Sequence, residues 1–113
     1  MQLKTASLRK NIAFIKLNPS FHNNFQEMLE GIKEYIASKE CKHNIILDIT
    51  ALNFLEAIRM GVLAATYHFV EFPAGKAYIV VSDFQVKKYI ELFNLSNIVV
   101  IYNQNELVLD NIA

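Results

Sequence analysis

The chain has 113 residues, 53% of them apolar and 19% charged, and eleven basic side chains balance eleven acidic ones. That length and composition fit one globular unit over residues 1–113, with enough apolar mass for a core. The even charge leaves no footprint for nucleic acid or anionic lipid, and no apolar run approaches the ~20 residues that span a bilayer.

A lone cysteine, Cys41, cannot form an internal disulfide, so a reducing cytoplasm is the expected setting. Lys4, Arg9 and Lys10 enclose no apolar block of signal-peptide length.

In chain order, Gln2 to Leu8 is a weak, mixed segment, read as an edge strand or a frayed end. Ile12 to Leu17 is richer in β-formers and apolar on both faces, as in a strand covered on both sides. Asn18-Pro19-Ser20 stops it. Phe21 to Ser38 predicts an amphipathic helix, with Phe25, Met28, Leu29, Ile32 and Ile36 on one stripe. Ile45-Ile46-Leu47, closed by Asp48, reads as a short buried strand.

After a link from Ile49 to Leu55, helical spacing runs from Glu56 to Val70. Ile58, Gly61, Val62, Ala65 and Phe69 make the expected core stripe. Met60, Leu63 and Tyr67 make a second apolar stripe beside Arg59. Two readings of it stand open: burial inside the fold, or a partner surface at the start of the helix.

Pro73-Ala74-Gly75 is a turn, and Lys76 to Val81 the next strand. Ser82 or Asp83 caps a third helix with Val86, Tyr89, Ile90 and Phe93 expected inside. Ile98 to Tyr102 is a last strand, and Asn103 with Glu106 marks the start of a short C-terminal helix carrying Leu107 and Val108. Strands alternating with helices predict an α/β fold with a mostly parallel mixed sheet of four to five strands and about four helices.

The stretch from Asn44 to Val70 resembles the signature of the STAS domain (sulphate transporter and anti-sigma factor antagonist). Asp48 takes the place of that family's strand-end Asp. Phe54-Leu55 stand for Phe-Ile, Glu56 for Asp, and Met60-Gly61-Val62-Leu63 for the end of the motif. Ser82 to Lys88 and Phe93-Asn94-Leu95 resemble later family segments, so the likeness covers nearly the whole chain. Ala57-Ile58-Arg59 replace Ser-Ser-Gly, and the usual phosphoacceptor serine falls on Ala57, which has no hydroxyl. Thr50 and Thr66 lie nearby, and neither matches the family position. Pro19-Ser20-Phe21-His22 replace an acidic loop of the family.

The sequence offers little for catalysis. His22, His43 and His68 are dispersed, and Cys41 with His43 has no second ligand pair at zinc spacing and no orienting third group. Neither a metal nor a cofactor is expected, and a packed, hydrogen-bonded side chain is the expectation for His68. Asp48 and Glu56 sit at the strand end where α/β folds place ligands. The favoured reading makes Asp48 a backbone acceptor and Glu56 a partner of the helix dipole.

The resemblance implies a non-enzymatic interaction module like an anti-sigma factor antagonist. It would bind a kinase-like anti-sigma factor or related regulator through Glu56, Ala57, Arg59, Met60, Leu63 and Tyr67, with no phosphoserine switch. The alternatives are a STAS-like subunit of a lipid-transport type complex, a small-molecule or nucleotide sensor, and a homodimer seam on the same helix face.

Overall fold

The computed structural model describes residues 4–9, 12–18, 24–38 and 43–102. The chain runs β1 (Lys4–Arg9), β2 (Ile12–Lys16), α1 (Phe25–Ala37), β3 (Asn44–Asp48), α2 (Phe54–Glu71), β4 (Ala77–Val80), α3 (Phe84–Leu92), β5 (Ile98–Ile101). The strands form one sheet in the order β1-β2-β3-β4-β5. β1 lies antiparallel to β2, with a register shift between Ser7 and Arg9, and the other four strands are parallel. The mixed, mostly parallel sheet is therefore as the sequence predicts, and the described residues hold three helices. The fourth expected helix falls on residues 103–113, outside the described ones, as does the Pro19–His22 loop.

Strand pleating sends alternate side chains to opposite faces. Ala13, Ile15, Leu17, Ile45, Leu47, Ile49, Ala77, Ile79, Val81 and Val100 share one core cluster with the buried side chains of all three helices. Ile12, Ile46, Val80 and Ile101 form a second cluster on the opposite face, with Phe14 and Tyr78 packed against them. Parallel strands taken in chain order, joined by crossovers of one hand, place every connecting helix on the same face. β3 is buried along its whole length, which explains its unbroken apolar run.

Each helix starts on a side-chain cap. Asn24 accepts from the Glu27 N–H at 2.8 Å, Asn53 from the Glu56 N–H at 2.9 Å, and Asp83 from the Gln85 N–H at 2.7 Å. Such acceptors satisfy donors that the first helical turn leaves open. The Asn53 cap starts α2 at Phe54, within the stretch that the sequence reading assigned to a link. Asn53→Ala is expected to cost about 1 kcal/mol, seen as a fall of roughly 4 °C in the thermal midpoint.

Two of the predicted inner faces need correction. α1 buries Met28, Leu29, Ile32 and Ile36 as expected. α2 instead buries Ala57, Met60, Gly61, Ala64, Ala65 and His68, and Phe69 is exposed. Small side chains let α2 lie close to the sheet: a methyl added at Gly61 would meet Ile90 Cδ1 at 2.8 Å. Larger Ile58 and Val62 fill the flanks of that contact. α3 buries Val86 and Ile90 and turns Tyr89 and Phe93 to solvent. Asn94 follows α3 with φ of 54°, a left-handed position that asparagine tolerates at a helix end.

Candidate functional site

The parallel ladder continues past the strand ends. The Leu17 N–H donates to the Asp48 carbonyl, the Ile49 N–H to the Val80 carbonyl, and the Val81 N–H to the Ile101 carbonyl. These bonds align the C-terminal ends of β2 to β5 along one rim. Asp48, which is buried, accepts through Oδ1 from the Thr50 N–H at 3.0 Å and the Thr50 hydroxyl at 2.6 Å. The turn after β3 is thus folded back on the carboxylate. Ser82 Oγ donates to the Thr50 carbonyl at 3.1 Å and ties this turn to the one after β4. Asp48 has the role expected of a backbone acceptor, and its charge is spent within the turn.

The N-termini of α2 and α3 rise from this rim and carry apolar side chains into solvent. Leu55, in the first turn of α2, is 67% exposed. The Phe54 ring meets the Tyr89 ring edge-to-face at 5.6 Å, and Phe84 meets Tyr102 in the same way at 5.5 Å. All four aromatic side chains are exposed, as is Leu92 on the outer side of α3. Edge-to-face pairs hold rings in fixed positions, so this patch presents a shaped surface. Ordinary soluble surfaces scatter such residues singly, whereas here they adjoin one another.

The six residues singled out in the sequence do not form one surface. Met60 is fully buried and Ala57 nearly so, which makes them core and removes them as direct contacts. Arg59 lies over the Phe25 ring of α1 at 4.1 Å, and Tyr67 packs against the core under the Lys33 ammonium at 5.9 Å. Both serve the α1–α2 seam. Leu63 sits one turn from each and is 41% exposed. Glu56 is half-buried in the first turn of α2, where its charge faces the positive end of the helix dipole.

The sequence reading missed Phe54, Leu55, Phe84, Tyr89 and Leu92. A signal for the first two was present: Asn53 three residues before Glu56 is an N-terminal capping pattern.

Thr50 Oγ1 is engaged by Asp48, and exposed Thr66 donates to the Val62 carbonyl at 2.7 Å. Neither hydroxyl stands at the start of α2. His68 is fully buried and stacks on Phe72 with ring centroids 5.1 Å apart. Among the described residues no three His, Cys, Asp or Glu side chains come together as a metal set. No described helix is long and apolar enough to cross a membrane. The described strand order never reverses, so it lacks the crevice in which doubly wound sheets hold nucleotides.

A sheet in chain order, edged by one antiparallel strand and covered by helices on one face, defines a one-sided α/β protein with an apolar rim. The family model described as the STAS domain matches residues 9–107, and the chain belongs to that family. No curated protein and no solved structure matches it significantly.

Proposed function

We propose that this STAS domain is a non-enzymatic protein-interaction module of the anti-sigma factor antagonist type, whose partner is a kinase-like regulator. The docking surface centres on the first turn of α2 and the facing side of α3. One observation carries this reading: Leu55 is 67% exposed and Phe54 40% exposed, while Ala57, at the family's phosphoacceptor position, is 3% exposed and has no hydroxyl. An exposed leucine in a rigid aromatic frame has the makeup of an interface anchor. With no phosphoacceptor at that turn, binding proceeds without the charge that phosphorylation would add.

The test is a pull-down from native lysate with wild type and Leu55→Asp, followed by titration of the captured protein. Leu55 is exposed, so the variant is expected to keep the wild-type circular dichroism spectrum. Affinity is expected to fall by roughly 30-fold or more, the loss typical of a central anchor. A kinase-like regulator bound equally well by both proteins would overturn the surface. Capture of transporter subunits in its place would overturn the partner class and favour the lipid-transport reading.

A further inference from the structure

The two edges of the sheet are built differently. β1 carries Lys4 and Arg9 and a register shift, devices that keep an edge strand from pairing with another chain. The other edge is β5. From Leu95 to Asn103 the sequence is Leu-Ser-Asn-Ile-Val-Val-Ile-Tyr-Asn, with no charge and no proline.

The Ala77 N–H donates to the Asn97 carbonyl and the Val81 N–H to the Ile101 carbonyl, so odd-numbered residues of β5 face β4. In a parallel ladder the alternate residues then direct their N–H and C=O groups outward. Those residues are Ile98 and Val100, and among the described residues no strand pairs with them.

Beside this edge lies a groove of about 390 Å³, lined by Ile90 and Asn94 of the α3 end, Leu95, and Ile98. We infer that the free edge of β5 pairs antiparallel with β5 of a second copy of this chain, joining two sheets into one. Two-fold pairing centred on Val100 sets that residue opposite its own symmetry mate, where the two exchange N–H···O=C bonds. It sets Ile98 opposite Tyr102 of the other copy. Tyr102 has the same side-chain parity as Ile98 and is exposed, so its ring reaches the groove that opens beside Ile98.

The strand and the groove therefore complement each other about the two-fold axis, as an isologous interface requires. A chain with eleven charges of each sign brings no net repulsion to the pairing. The seam is separate from the α2 surface and does not depend on its role.

Val99 points away from the helices and is 38% exposed, so Val99→Lys adds an edge charge without disturbing the core or the β4 ladder. Sedimentation equilibrium of the full chain, from micromolar to submillimolar concentration, should show a monomer–dimer equilibrium. In Val99→Lys the dissociation constant is expected to rise on the order of tenfold or more. Residues 99 of the two copies are diagonal neighbours, so mixing Val99→Lys with Val99→Glu should restore association.

A wild type that stays monomeric throughout overturns the inference and leaves the edge to an extended segment of another protein. A dimer untouched by Val99→Lys but broken by Leu55→Asp overturns it too, and places the seam on α2.

Discussion

Met60→Asp is expected to leave little folded protein. Met60 is fully buried between α2 and the sheet, in the same cluster as Ile49, Ile79 and Ile90. Removing its side chain forfeits about 2 kcal/mol of apolar burial. Placing an unpaired carboxylate there costs several kcal/mol more, or forces the group to stay protonated. Domains of this size are stable by only about 5–15 kcal/mol, so the sum consumes most or all of the margin.

Leu63→Asp, three residues on, places the same group at a position 41% exposed, and its expected cost is about 0.5 kcal/mol. Urea unfolding followed by circular dichroism separates the two. Comparable losses in both variants would contradict the placement of α2 on the sheet. Loss of partner binding in a Met60 variant would report unfolding, whereas the same loss in a folded Leu63 or Leu55 variant would report contact.

Gly75→Ala is expected to be the most damaging single-methyl addition in the described chain. Gly75 is buried at the end of the turn after α2, its N–H bonded to the Phe72 carbonyl at 2.9 Å. A Cβ there would overlap the His43 carbonyl oxygen, stand 2.9 Å from the His43 carbonyl carbon and 3.1 Å from His68 Cε1. The first two obstacles are backbone, just before the central strand, and cannot swing away. Relief requires moving the β4 approach off β3, where the Ile45 N–H bonds to the Lys76 carbonyl at 3.0 Å and Asn44 Oδ1 accepts from the Lys76 N–H at 2.9 Å.

The expected loss is about 3 kcal/mol, or roughly 10 °C in the thermal midpoint. Gly61→Ala is the control. Its nearest obstacle is the tip of the Ile90 side chain, which can turn aside, and alanine gains about 1 kcal/mol of helix propensity. Little net change is expected at Gly61. Equal behaviour of the two variants in a thermal scan would refute the close approach at Gly75.

How much of this was legible depended on which force decided each element. The strands could be read because β3 and β4 are covered on both faces, which leaves the runs Ile45-Ile46-Leu47 and Ile79-Val80-Val81 without polar interruption. α1 could be read because one face is wet, so its period shows.

α2 could not be oriented from hydrophobicity, since it is apolar on most sides. Its contact face is set by size: Ala57, Gly61, Ala64 and Ala65 permit close approach, while bulkier Leu63 and Phe69 stay outside. The same rule that misplaced Phe69 misplaced Met60 in the opposite direction. Gly75 was recognised as a turn residue, but no described glycine has positive φ. Its requirement is space against a strand 32 residues earlier, which no local pattern records. The rim of Phe54, Leu55, Phe84 and Tyr89 was missed because an exposed aromatic and a core aromatic look alike in a sequence. Their difference lies in where the cap starts the helix.

The order of the strands also bears on how the molecule forms. Every β-pairing joins segments adjacent in sequence, from the β1–β2 hairpin to the last strand. No strand has to insert between two that are already paired. As the chain emerges from the ribosome, each new strand with its helix meets a finished edge, and the loop closed at each step stays short. Assembly can thus proceed from the first strand to the last at the pace of translation, with the uncharged β5 segment, the most aggregation-prone of the strands by composition, emerging only when its neighbour is in place.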